Sequence, residues 1–310
     1  MIYITGATGH IGNNLVKKLA ENQLDFRILA RKTSIAVKEF ENRVIIGDIF
    51  NKKFLEKNIN EGDTLVHLAA YINLKNDKSL LTDEVNFNGV KTIADFCVEH
   101  NIHLIYTSST DVITNGNYLI NEPDTIDIDK LEGYYQRSKA KATNYLLNLM
   151  KNDNLKAMIV YPSAVLGIND FKPSAIGREI KRTFRRRICF YFHGGYNFVD
   201  VNDVAEVLMQ GIAKEISGSY IVSNEFISLY NMYRLIFKTL KRKVLMIKIP
   251  IYLVRFAAFI LPKYRIMIKA LLTDHNFSNK KMIEELMINP VPINQTIQNT
   301  VTWFKGENNV

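Results

Sequence analysis

Cysteine is scarce: among 310 residues only Cys97 and Cys189 occur, far apart and without metal-ligand spacing. A disulfide framework and a cysteine-based zinc site are therefore excluded, and a reducing, cytoplasmic setting is expected. Long apolar runs are missing as well. The most hydrophobic stretch, residues 241–272, is cut by Lys248, Pro250, Arg255 and Pro262 into pieces shorter than the roughly 18 apolar residues of a membrane span. The apolar start runs directly into glycines without the features of a signal peptide, so no secretion is expected. No repeat and no low-complexity tract interrupts the chain.

What remains is ordinary globular composition, 47% hydrophobic and 11% aromatic, with enough length for one large α/β domain or a domain with a smaller lobe. The net charge of +9 favours anionic ligands or surfaces without identifying one. Nucleic acid is not an expected partner.

Short apolar runs at 2–5, 26–30, 44–47, 64–70, 102–108 and 156–161 alternate with helical patterns near 11–21, 51–58, 82–100 and 133–151. Such alternation predicts an α/β fold with a doubly wound parallel sheet. After about residue 162 the rhythm breaks. "IGREIKRTFRRR" reads as a basic helix, with Arg178, Lys181, Arg182 and Arg185 on one side, and "VNDVAEVLMQGIAKEI" as an amphipathic helix returning to the main body. Residues 228–304 read as mostly helical.

Gly6, Gly9 and Gly12 follow the first strand and lead into a helix. In that context the first glycine permits a tight turn, the second lets backbone approach a pyrophosphate, and the third lets helix and strand pack closely. Free N–H groups at the helix start then receive the anion. The second strand ends in Arg31 and Lys32 rather than an acid. An Arg there suits a ribose 2′-phosphate, so NADP is favoured over NAD. Further on, Tyr135 and Lys139 stand four apart on one helix. A phenol titrating near 10 needs help to exchange protons at neutral pH, and a neighbouring ammonium is expected to lower its pKa. Ser108 and Ser109 end a strand at the carboxyl edge of the sheet, where ligands bind.

Taken together, TGATGHIG at 5–12, GDI at 47–49, HLAA at 67–70, NFNGV at 86–90, YTSS at 106–109 and YQRSK at 135–139 resemble one family. PSAVLG at 162–167, FVDVNDVA at 198–205 and TVTWF at 300–304 extend the match along the chain. The sequence resembles the extended short-chain dehydrogenases/reductases, in the NAD-dependent epimerase/dehydratase group that includes dihydroflavonol-4-reductase-like proteins. The resemblance implies a catalytic set of Ser109, Tyr135 and Lys139, with Tyr135 as acid/base and Lys139 also holding the nicotinamide ribose. It implies that Gly6, Thr8, Gly9, His10, Ile11 and Gly12 cradle the dinucleotide and that Asp48 and Ile49 flank the adenine. Leu68, Ala69 and Ala70 would line the path to the nicotinamide, and Tyr161, Pro162, Ser163 and Ala164 would border its ring. It also implies a Rossmann domain of residues 1–165, with 198–223 returning to it, and a smaller, mostly helical substrate lobe of 166–197 and 224–310.

Each assignment has a plainer counterpart: Asp48 as a turn residue, the alanines as core, His67 as a satisfied core histidine, Asn86 as an ordinary helix residue or a tie to the active-site strand. Two departures bear on the reaction. Asp200 stands where the family usually has His or another small polar residue. Ser109-Thr110-Asp111 approximates only the last acid of the Thr-Asp-Glu set of sugar 4,6-dehydratases. The expected reaction is NADPH-dependent reduction of a ketone or aldehyde with Tyr135 as proton donor. The alternative is a nucleotide-sugar epimerase or dehydratase retaining NAD, with the basic run at 178–187 as an anion clamp; a non-catalytic dinucleotide sensor is a third reading. No metal is expected, and a homodimer is compatible with the sequence. For 241–272, burial in the lobe or a subunit contact is expected ahead of peripheral contact with an anionic bilayer.

Overall fold

The computed structural model describes residues 1–72, 80–113, 119–273 and 276–307. Seven parallel strands make the central sheet: β1 (Ile2–Thr5), β2 (Phe26–Ala30), β3 (Val44–Ile46), β4 (Thr64–His67), β5 (His103–Thr107), β6 (Ala157–Pro162) and β7 (Gly218–Val222). Their order across the sheet is β7-β6-β5-β4-β1-β2-β3, so the direction of winding reverses between β1 and β4. In open α/β sheets this reversal opens a crevice at the carboxyl ends of the strands.

The strands are apolar on both faces because helices cover both. Alternate residues serve opposite layers: Tyr3, Leu104 and Tyr106 join one core, Ile4 and Ile105 the other. On the first side lie α3 (Gly89–Glu99) and α4 (Tyr134–Asn152), contributing Ile93, Phe96, Ala140 and Leu146. On the second, α1 (His10–Glu21) packs Leu15 and Leu19 against Val204 and Leu208 of α6 (Val201–Lys214). The short α2 (Lys52–Asn58) follows β3.

A third core gathers Leu166 and Phe198 with side chains of α5 (Ala175–Thr183), α7 (Leu229–Thr239) and α10 (Ile293–Glu307), including Ile180, Tyr233, Ile236, Ile297 and Phe304. A three-stranded sheet of 164–166, 195–200 and 225–228 ties this core to the carboxyl end of β6.

The doubly wound sheet agrees with the sequence reading, and four local expectations are corrected. The helix expected over 82–100 is Leu80–Asp83, a π-helical stretch Glu84–Asn88 and α3. The strand expected to reach residue 70 ends at His67, freeing Leu68–Ala70 to cross the crevice. The basic helix ends at Thr183, so Arg185–Arg187 lie beyond it, and Arg186 is held by Glu179 at 2.7 Å. Finally, 245–248 forms a strand beside 188–191, followed by α8 (Ile251–Ile260) and α9 (Pro262–Leu272). Of the two fates expected for this segment, burial in the lobe is corrected: Val254 is the single buried side chain of α8, and none of the described side chains of α9 is buried.

Candidate active site

The turn after β1 is shaped by close backbone approach. Gly6 has φ +73°, and a Cβ there would lie 2.6 Å from Ala69 N. A Cβ on Gly12 would lie 2.3 Å from the Gly6 carbonyl oxygen. Both positions therefore require glycine to fold. Gly9 differs, since an added Cβ would meet only the Gly6 oxygen, at 3.3 Å. Gly9 is the N-cap of α1 and supplies no side-chain cap, and the first turn carries no acid. The opening N–H groups of the helix, from His10, Ile11 and Gly12, thus face the crevice in a form suited to an anion.

The side chain of His10 is not part of that cradle. Its Nε2 lies 3.0 Å from the Ile168 carbonyl, which also accepts from Asn14 Nδ2 at 3.1 Å. These bonds fasten α1 to the loop after residue 166, and burial lowers the His10 pKa. At the end of β2, Arg31 and Lys32 are exposed, while Ser34 caps the following turn through Ala36 N. Asp48 is exposed and accepts from Phe50 N at 3.0 Å, the turn geometry weighed as its plainer role; Ile49 is buried. Leu68, Ala69 and Ala70 are half-buried along the crevice.

Across the reversal point stands α4. Lys139 is buried, donates to the Thr107 carbonyl at 2.6 Å and lies 4.2 Å from the centre of the Tyr106 ring. Burial pushes its pKa down to about 7. The buried His67 ring runs parallel to Tyr106 at 6.1 Å between centres, and its Nδ1 is 2.8 Å from Thr5 Oγ1. Burial, then the Lys139 charge, lowers His67 to about 3, so it is neutral. Its Nε2 has no hydrogen-bond partner among the described residues, so the expectation of a satisfied core histidine holds for one nitrogen only.

Tyr135 sits one turn before Lys139. Burial, then Asp111, pushes its phenol pKa up, the reverse of the expected lowering by an ammonium. The Lys139 ammonium, for its part, is committed to the Thr107 carbonyl. Ser109 is half-buried and its Oγ accepts from Asp111 N at 3.1 Å, capping the turn that leaves β5. Ser108 instead points to Thr143 at 2.7 Å. Tyr161 is buried, and Pro162 and Ala164 continue the wall at the end of β6.

Two contributors escaped the sequence reading of the site: Tyr196 donates a hydrogen bond to Asp111, and Gln136 donates to the Asp111 carbonyl at 3.1 Å. Ser163, inside the stretch from Tyr161 to Ala164 expected to border the nicotinamide, keeps a buried Oγ without a partner among the described residues. Asn86 ties differently from the expectation: it brackets Tyr71 N and O at 2.8 and 3.0 Å and donates to Ser138 at 3.1 Å. It fastens the π-helical stretch to the crevice loop and to α4, not to a strand. Asp200, the other departure, caps α6 through Asn202 N at 2.8 Å. A surface hollow of about 500 Å³, lined by Lys18, Asn202, Glu206 and Met287 among others, contains none of Ser109, Tyr135 and Lys139.

The sequence pattern of the NAD dependent epimerase/dehydratase family matches residues 2–222. The chain belongs to that family. It is accordingly an enzyme of the extended short-chain dehydrogenase/reductase type. Sterol demethylase protein B of Methylococcus capsulatus is 27% identical over 227 residues, covering 72% of this chain and 69% of that protein. A Synechocystis sp. protein named as a candidate dihydroflavonol 4-reductase is 31% identical over 209 residues, covering 66% of this chain and 60% of that one. UDP-glucose 4-epimerase of Vibrio cholerae is 28% identical over 171 residues, with about half of each chain aligned. Among solved structures, gox2253 superposes with a TM-score of 0.83 at 24% identity, over 99% of this chain and 98% of that one. The NAD complex of Thermus thermophilus UDP-glucose 4-epimerase gives 0.76 at 17% identity, over 98% and 99%. These likenesses establish the shared fold.

Proposed function

We propose that this family member reduces a carbonyl compound with NADPH. The observation that carries the reaction is the placement of Tyr135 one helical turn before a buried Lys139 at the carboxyl edge of the sheet, across the crevice from the uncapped start of α1. The cradle suits a dinucleotide: Gly6 and Gly12 allow the tight turn, Gly9, whose own N–H is spent on the Gly6 carbonyl, lets the backbone approach closely, and the first α1 N–H groups receive the pyrophosphate. Arg31 and Lys32 support NADP over NAD, since they are exposed where a ribose 2′-phosphate would lie. Asp48 and Ile49 flank the adenine, Leu68–Ala70 border the path to the nicotinamide, and Tyr161, Pro162 and Ala164 form its wall. The nicotinamide supplies the hydride.

The side chains manage the proton. Tyr135 donates its phenolic proton to the substrate oxygen, a transfer suited to a phenol that burial keeps protonated. Lys139 then faces the phenolate left behind and, titrating near 7, can pass a proton back. Ser109 orients the same oxygen once its hydroxyl turns from Asp111 N. Residues 166–197 and 224–310 close over the reactive end as the substrate lobe.

The nucleotide-sugar alternative would gain from the basic run acting as an anion clamp. Arg186 is instead paired with Glu179, and Arg178 donates to the Pro173 carbonyl at 2.7 Å, which supports the reductase reading. Tyr135→Phe tests it directly: turnover of NADPH with an accepted carbonyl should fall by about 10²–10⁴-fold while dinucleotide binding is kept. Retained turnover would remove Tyr135 from the reaction.

A further inference from the structure

Tyr252, Phe256 and Phe259 follow one another at i, i+4 and i+7 on α8 and are 67%, 60% and 82% exposed. Leu261 and Met267 continue this apolar surface, also exposed. Single exposed apolar residues are common, but a contiguous stripe of large ones marks a surface that is covered in use. The charge pattern indicates the cover. Every charged residue from 241 to 272 is Lys or Arg. A second copy would set like charges against each other, whereas an anionic surface would neutralise them.

We propose that α8 and α9 dock on an anionic lipid bilayer. The Phe256 and Phe259 stripe enters the boundary between headgroups and acyl chains, and Lys248 and Arg255 meet lipid phosphates. The contact is peripheral, since no helix among the described residues is long and apolar enough to cross a membrane. The docked surface also adjoins the candidate site. Lys269 and Arg265 of α9 pair with Glu132 at 2.5 and 3.6 Å, and Ile266 packs on Gly133, immediately before the helix that carries Tyr135.

Sedimentation of the full chain with phosphatidylcholine vesicles, with and without phosphatidylglycerol, tests this. Binding should require the anionic lipid and weaken with salt. Phe256→Glu/Phe259→Glu should abolish it, and Arg255→Gln should weaken it about fivefold, as expected for one cation near an anionic surface. These side chains are exposed, and unchanged circular dichroism and NADPH binding would show that the variants fold. Tyr135→Phe should bind vesicles like the parent chain, which separates this inference from the catalytic one. Absence of sedimentation, or equal sedimentation of the double variant, would overturn it. So would a two-copy mass in solution that the double variant returns to one copy, assigning the stripe to a second chain.

Discussion

Held on the Thr107 carbonyl and buried, Lys139 titrates near 7 in the folded protein, against 10.5 for an ordinary lysine. Below about pH 7 both folded and unfolded chains carry the proton, and folding bears the full cost of burying the charge. Between 7 and 10.5 the unfolded chain binds more protons, so this contribution raises stability as pH rises. The urea midpoint of the parent chain should climb across that range relative to Lys139→Met, with the difference amounting to a few kcal/mol, about 1.4 per pKa unit. Parallel profiles for the two proteins would contradict a buried, proton-shedding Lys139. Arg31→Asp should move preference from NADPH towards NADH in paired titrations, and an unchanged ratio would remove the basis for NADP. At this scale the sequence was legible for spacing along one helix, which puts Tyr135 and Lys139 a turn apart, but not for the burial that raises the Tyr135 pKa. It was not legible for Asp111 and Tyr196, which are 85 residues apart and meet only through the fold.

Among the elements, the glycine turn and the π-helical stretch make opposite demands. Gly12→Ala would force a Cβ to within 2.3 Å of backbone, so it should cost stability and dinucleotide binding together. Gly9→Ala meets only the Gly6 oxygen at 3.3 Å. It should leave the melting midpoint nearly unchanged while weakening dinucleotide binding at least tenfold, about 1.4 kcal/mol. Equal losses in both assays would make Gly9 structural. Asn86→Ala leaves the Tyr71 backbone groups and Ser138 without their partner, and should cost about 1–3 kcal/mol in urea unfolding. The glycine spacing announced the turn in the sequence because flanking periodicity gave it a strand and a helix. The π-helical stretch was invisible, because its apolar spacing is that of any helix and the Asn86–Tyr71 contacts made from it are tertiary.

Across the whole molecule, the doubly wound sheet was readable because six of its seven strands are short apolar runs of the kind that alternate with helical patterns; β7 was not read as a strand. The third core and the exposed α8–α9 surface were not. Hydrophobicity alone predicts burial for residues 241–272, and only the assembled fold shows that little of the chain is left to cover them. A nucleotide cradle at the β1/β4 reversal also links binding to global stability. NADPH at a hundred times its dissociation constant should add about 2.7 kcal/mol to the unfolding free energy. The most direct measurement of the proposed reductase is titration of the purified chain with NADPH and NADH, followed by reduced-nicotinamide fluorescence, after identifying any nucleotide released on denaturation. Exchangeable, saturable binding that favours NADPH is the expected result. Binding of neither nucleotide would contradict the cradle itself, and tightly retained NAD would contradict the reductase in favour of a sugar epimerase.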